Sequence, residues 1–208
     1  MNTRPRRPAQ LDDAQIEAIE GDADVAYNSE LAHTSAQALV PMGRRFRETD
    51  RAAVARVLDL VDSEGVDVLA ETWVRSPQDS LPGVLWRGYL LREWIRREGD
   101  DVAKRYQAVA EFLAARGGEE ADSADIPKPG VLRQEWDRVF AGAYEGDFAE
   151  LLDDSARFTG LLGRLEAVWI EADSHPLATA VTRRDSALLA TSRELAAAGE
   201  LFRQGRLE

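Results

Sequence analysis

Residues 81–97 read LPGVLWRGYLLREWIRR, an unusually apolar stretch for a chain that is acidic overall. Between positions 84 and 95, eight of twelve residues are apolar, and at 100° per residue they nearly encircle a helix axis. Ser80 is placed to cap such a helix, and Pro82 is tolerated in its first turn. The stretch therefore predicts a central helix at 81–97 that is buried on most of its sides.

Apolar residues recur at helical spacing on both sides of the central helix. Before it, Val54, Val57 and Val61 follow one helical face, with Thr49 or Asp50 as a cap and Gly65 as a stop. After it, Leu132, Trp136, Val139, Phe140 and Tyr144 form another amphipathic stripe. The stretch 66–74 fits a strand or a helix, and we favour a helix because no partner strand is evident elsewhere. The sequence thus predicts an all-α fold, a single compact multi-helix bundle of about seven to nine helices around a buried central helix near residues 81–97.

Two segments have the composition of irregular chain. Residues 1–11 contain three arginines and no acidic residue, which predicts a disordered basic tail. Residues 117–130 read GGEEADSADIPKPG, with glycines and prolines and a net charge of −3, so we expect an acidic internal linker and a possible sub-domain boundary there. Only 78 residues follow this linker, few for an independent core, and we therefore expect one helical domain over residues 12–208.

Composition excludes several classes of function. The chain has no cysteine, which rules out disulfides, thiolate nucleophiles and cysteine-ligated metals. Its formal net charge of −12 repels phosphate backbones and argues against nucleic-acid binding. The longest unbroken apolar runs are four residues, so we predict neither a membrane span nor a signal sequence and expect a cytoplasmic protein. Basic residues comprise 24 arginines and 2 lysines, which suggests a bacterial source with a GC-rich genome.

Residues with catalytic or metal-binding chemistry are scattered rather than grouped into motifs. The chain has only two histidines, His33 and His175, and neither accompanies a nucleophile motif. Glu30 and His33 have the i, i+3 spacing that di-metal bundles use, but that chemistry needs a second such motif. We therefore predict no catalytic, cofactor-binding or metal-binding residue and favour a protein that is not an enzyme.

The central helix offers one candidate contact surface. Gly88, Arg92 and Arg96 form the strip that its apolar residues leave open, and Trp73 and Trp86 lie beside it in the sequence pattern. The arginines could extend to solvent from a core helix or pair with the surplus acids. Because Trp and Arg dominate interface hot spots, the strip could instead bind another protein or a second copy of this chain as a homodimer. The sequence favours a non-catalytic protein-interaction or regulatory domain.

A second hypothesis remains open for the same strip. Arg92 and Arg96 could hold a small anionic ligand beside an aromatic ring, in a pocket lined by Trp and Arg of the central helix. The protein would then be a small-ligand binder or an enzyme.

Overall fold

The computed structural model describes residues 28–40, 50–115, 127–164 and 185–208. All regular secondary structure in these ranges is α-helical, which confirms the predicted fold class. The helices are α1 at 28–39, α2 at Arg51–Glu64, α3 at Asp67–Trp73, α4 at Leu81–Arg97, α5 at Gly99–Ala115, α6 at Pro129–Phe140, α7 at Phe148–Arg164 and α8 at Asp185–Arg203. None of them, over the described ranges, has the length and hydropathy needed to cross a membrane.

Local capping residues fix several of these helix ends. The Asp50 carboxylate accepts the backbone N–H of Ala53 at 2.9 Å, and the Ser80 hydroxyl accepts that of Gly83 at 3.3 Å. Gly65 ends α2 with a φ of 85°, a conformation in which a side chain would be strained. These signals confirm the predicted limits of α2 and α4, and the ambiguous stretch 66–74 is the helix α3.

Helix α4 lies at the centre of the described bundle. Ten of its seventeen residues are buried, which confirms the prediction of a helix covered on most sides. It packs against α3, α5, α6 and α8. The backbone N–H of Leu81 at its start donates to the Glu208 carbonyl at 2.7 Å, and Leu207 is buried beside this contact. The segment after α8 therefore satisfies one of the amide groups that the first turn of a helix leaves unpaired.

A chain of aromatic contacts connects four helices through the core. Trp73 of α3 stacks on Phe140 of α6, and Phe140 stacks in turn on Trp136, with ring centroids 6.1 and 5.6 Å apart. Trp136 meets Phe148 of α7 edge to face, and Phe148 meets Phe202 of α8. Each of these rings buries a large apolar area, so the chain is a principal source of packing energy.

Helices α7 and α8 form the most extensive pair and run antiparallel. Gly160 of α7 faces Ser192 of α8, and Gly199 of α8 faces Ala149 of α7. The hydroxyl of Ser192 donates to the Ala156 carbonyl at 2.7 Å. A glycine inside a helix is destabilising by itself, but Gly160 lies where the neighbouring helix comes close.

Several predictions concern residues outside the described ranges. These are the basic tail at 1–11, His175, and residues 117–126 of the predicted linker. Pro129 and Gly130, which we assigned to the same linker, instead form the first turn of α6, where proline is well tolerated. The helices before this segment contact the helix after it, since both α4 and α5 pack against α6.

Candidate contact surface on the central helix

Gly88 was predicted to lie on an open strip, but it faces α6. Both Gly88 and Trp136 are buried. A Cβ atom added at Gly88 would lie 2.2 Å from Cζ3 of Trp136, well inside van der Waals contact. The indole N–H of Trp136 donates to the Ser155 hydroxyl at 3.0 Å, which fixes the ring in this position. Gly88 is therefore the bottom of a notch that receives an indole ring.

Arg92, the second residue of the predicted strip, also faces α6. Its Nε donates to Asp137 Oδ1 at 2.6 Å, and its Nη1 donates to Glu93 Oε1 at 2.8 Å. Its guanidinium carbon lies 5.9 Å from the centre of the Phe140 ring, within the range of a cation–π contact. Arg92 thus contributes to the α4/α6 contact and presents only 19% of its side chain to solvent.

Trp73 belongs to the core. It is 0% exposed, and its indole N–H donates to the Ser35 hydroxyl of α1 at 3.0 Å. The Ser35 hydroxyl donates in turn to the Ala32 carbonyl, so the polar atom of this tryptophan is satisfied within the fold. Trp73 and Gly88 therefore cannot contact a partner in this conformation, whereas Trp86, Arg92 and Arg96 of the predicted surface are partly exposed.

Glu93, which was not among the predicted site residues, organises the exposed side of α4. It is only 6% exposed and accepts hydrogen bonds from three arginines. The bonds come from Arg92 Nη1 at 2.8 Å, Arg96 Nε at 3.0 Å, Arg96 Nη2 at 2.6 Å and Arg97 Nε at 2.8 Å. Burial alone would raise the pKa of Glu93, but these hydrogen bonds and charges outweigh it and hold the pKa below its ordinary value.

The pattern that could have identified Glu93 is the spacing of its neighbours. Arginines follow it at i+3 and i+4, the two positions that reach back along a helix face to a glutamate. Charged residues are exposed in most proteins, so the i+3 and i+4 spacing of these arginines predicts ion pairs on the surface. The structure instead buries the carboxylate beneath the arginines that it binds.

Trp86 and Tyr89 form a stacked aromatic pair next to Glu93. Their ring centroids are 5.6 Å apart, and both rings are half-buried. The Tyr89 hydroxyl donates to Asp67 of α3 at 2.9 Å. Burial, followed by this bond and the charge of Asp67, raises the pKa of Tyr89 to about 12, so the phenol remains a neutral donor.

We call the exposed side of α4 the outer face and define it as Trp86, Tyr89, Glu93, Arg96 and Arg97. Arg96 and Arg97 expose 48% and 46% of their side chains, and they cover the carboxylate of Glu93. The face therefore combines two partly covered aromatic rings with two guanidinium groups that reach solvent.

The charge around the outer face differs from that of the chain as a whole. Ion pairs join four arginines to the carboxylates of Glu93 and Asp137, and Asp67 is near enough to raise the pKa of Arg96. We call these four the arginine cluster: Arg92, Arg96, Arg97 and Arg133. With the three carboxylates, its formal sum is +1, whereas the whole chain carries −12.

Two acidic residues of α7 and the histidine of α1 have local partners. Asp153 and Asp154 of α7 pair with Arg203 and Arg157, respectively. His33 Nδ1 bonds the Ser29 carbonyl of its own helix at 2.8 Å. Over the described ranges, no group of three or more acidic or histidine side chains could hold a metal ion.

Comparison with protein-family models, with curated proteins and with solved structures finds no match.

Proposed function

We propose that this protein is a non-catalytic protein-interaction domain that binds its partner through the outer face of α4. One observation carries the proposal: a stacked Trp86–Tyr89 pair lies beside two half-exposed arginines on the exposed side of an otherwise buried helix. Trp, Tyr and Arg are the residue types that dominate binding hot spots. We also propose a cytoplasmic location, since proteins of the cytoplasm rarely depend on disulfides and this chain has no cysteine.

The ordering of these side chains favours binding. A free arginine loses conformational entropy when a partner immobilises it, at a cost of about 0.5–1.5 kcal/mol for each such side chain. Arg96 is already held by two bonds to Glu93, and Trp86 is held by its stack on Tyr89. Part of this cost is therefore met before the partner arrives.

The decisive test is substitution of Trp86, whose half-buried indole is part of the outer face. Proteins retained on the immobilised full chain would be identified, purified and titrated against Trp86→Ala by isothermal calorimetry. We expect the affinity to fall at least about tenfold, since truncation of a hot-spot tryptophan costs about 2 kcal/mol or more. Arg157→Ala is the matched control, because this residue lies on α7, is half exposed and pairs with Asp154 in its own helix. Equal affinities for the wild type and Trp86→Ala would contradict the proposal.

A small anionic ligand is the alternative that the same face supports. Arg97 bonds the described residues only through its Nε, so the N–H groups of its two Nη atoms are available to an anion. A thermal-shift screen with anionic metabolites separates the two functions, because a specific ligand raises stability by mass action. A shift that disappears in Arg97→Ala supports the ligand-binding alternative, whereas a flat screen argues against it.

A further inference from the structure

The guanidinium groups of the outer face are only partly used within the fold. Arg96 directs one edge, Nε and Nη2, at the two oxygens of Glu93, and its Nη1 has no bond to any described residue. Arg97 contributes a single bond through Nε. Each guanidinium carries five N–H donors, so several remain available to an incoming acceptor.

Carboxylates are the acceptors that fit these donors and their surroundings. A guanidinium edge matches a carboxylate in a two-bond geometry, and the neighbouring Trp86–Tyr89 pair offers apolar area that an inorganic anion could not use. A protein segment that carries both acidic and apolar side chains would contact both parts of the face.

The net negative charge of the whole chain favours some anionic partners over others. At −12 it repels extended nucleic acids and anionic membrane surfaces, whose charge is spread over a large area. At physiological salt, charges are screened beyond about 8 Å, so a short acidic segment responds mainly to the local cluster of net +1. A compact acidic protein segment therefore suits this face better than a nucleic acid or a membrane.

We infer that the arginine cluster binds an acidic segment of a partner protein, and that Glu93 is the positioning residue that holds the guanidinium groups in the binding orientation. This inference rests on the proposed function. Glu93 is almost fully covered and would not touch the partner; it acts by fixing Arg92, Arg96 and Arg97 at once.

Removal of the Glu93 charge distinguishes positioning from simple attraction. If net charge alone governed binding, Glu93→Gln would make the local charge more positive and raise the affinity for the acidic segment. If Glu93 positions the arginines, the same variant releases them and weakens binding, because each must be ordered again on contact. The two interpretations predict opposite signs.

The experiment titrates the full chain against a fluorescein-labelled glutamate-rich peptide with a central leucine, measured by fluorescence anisotropy. The double variant Arg96→Ala/Arg97→Ala is expected to bind about tenfold or more weakly, since hydrogen bonds between charged groups are among the strongest that proteins form. Arg157→Ala should bind like the wild type. We expect Glu93→Gln to bind more weakly than the wild type although its local charge is more positive.

Asp137→Asn provides a second positioning variant if Glu93→Gln does not fold. Asp137 is one-third exposed and holds Arg92 and Arg133, so its substitution leaves less buried charge unpaired. Circular dichroism verifies that each variant is folded. Weaker binding by the folded variants supports the inference, and tighter binding overturns it.

Two further results would overturn the choice of ligand. One is that the wild type does not bind the glutamate-rich peptide, or binds its glutamine analogue equally well. The other is that inorganic phosphate or phosphatidylserine vesicles bind more tightly than the peptide and displace it. In either case the proposed function still holds if Trp86→Ala weakens binding of the captured partner. A failure of this inference can therefore be distinguished from a failure of the proposed function.

Discussion

Two helix contacts in this protein are each built around a glycine, but the glycines serve different purposes. In the α4/α6 contact, Gly88 leaves space for the rigid indole ring of Trp136. In the α7/α8 contact, Gly160 faces a small side chain, Ser192, and lets two helices come close along their lengths. The first contact depends on one large ring in one notch, whereas the second is spread along the length of the two helices.

The α4/α6 contact also connects the core to the outer face. Arg92 donates to Asp137 across this contact and to Glu93 on its own helix. A shift of α6 would therefore reach Glu93 through one side chain. The α7/α8 pair reaches α4 through the ion pair of Glu194 with Arg87, an arginine that does not bind Glu93, so changes there should leave the ion pairs of Glu93 intact.

The largest effect is expected from Gly88→Ala. The new methyl group would overlap three atoms of the Trp136 ring, which is fully buried and hydrogen-bonded to Ser155 and therefore cannot retract. Overpacking of this kind costs about 3 kcal/mol, and the gain in helix propensity returns about 1 kcal/mol, so the free energy of unfolding should fall by about 2 kcal/mol. Urea denaturation followed by circular dichroism measures this change.

Gly130→Ala is the matched control for that variant. Gly130 lies in the first turn of α6, and a Cβ atom there would meet nothing within 4 Å. Its stability should stay equal to the wild type or rise slightly. Equal stabilities for Gly88→Ala and Gly130→Ala would show that the notch has room for a methyl group. The distinction between the two glycine contacts would then no longer hold.

The sequence predicted the helix limits well because capping is local. Asp50, Ser80 and Gly65 each act within a few residues, so their roles are legible in the chain. The orientation of α4 was harder to predict. Glycine has no side chain to indicate which way it faces, and Gly88 was grouped with the polar strip although Trp136, 48 residues later, fills the space above it.

The burial of individual polar and aromatic side chains could not be predicted from the sequence either. Trp73 is covered because its indole meets Ser35, 38 residues earlier, and no spacing rule predicts such a pair. Glu93 is covered by its own neighbours, but charged residues are almost always exposed, which favoured the opposite expectation. The candidate surface therefore loses Trp73 and Gly88 and gains Tyr89, Glu93 and Arg97.

The ion pairs of Glu93 should make the free energy of unfolding depend on pH in the acidic range. Because the folded-state pKa of Glu93 lies below its ordinary value of 4.5, its contribution is fully present above that pH and is lost as pH falls through the folded-state pKa. The difference in unfolding free energy between the wild type and Glu93→Gln should be constant above pH 4.5 and shrink below it. We expect a smaller effect than that of Gly88→Ala, since Arg96 and Arg97 are half exposed and solvent screens their attraction.

Urea titrations at a series of pH values measure this difference. Arg157→Ala, which breaks an ion pair on α7, serves as the comparison from the other contact region. A difference between wild type and Glu93→Gln that grows on acidification would contradict the assigned direction of the pKa shift.

The smallest effect is expected from Gly160→Ala in the α7/α8 contact. The added Cβ would lie 2.7 Å from the Ser192 hydroxyl oxygen, which can rotate away at the loss of its bond to Ala156. That bond contributes about 1 kcal/mol, and replacement of a mid-helix glycine by alanine returns about the same, so the net change should be within about 1 kcal/mol. The double variant Gly160→Ala/Ser192→Ala removes the oxygen and should be at least as stable as the single variant in urea denaturation. A loss as large as that of Gly88→Ala, without recovery in the double variant, would mean that α7 and α8 fit as rigidly as the indole and its notch.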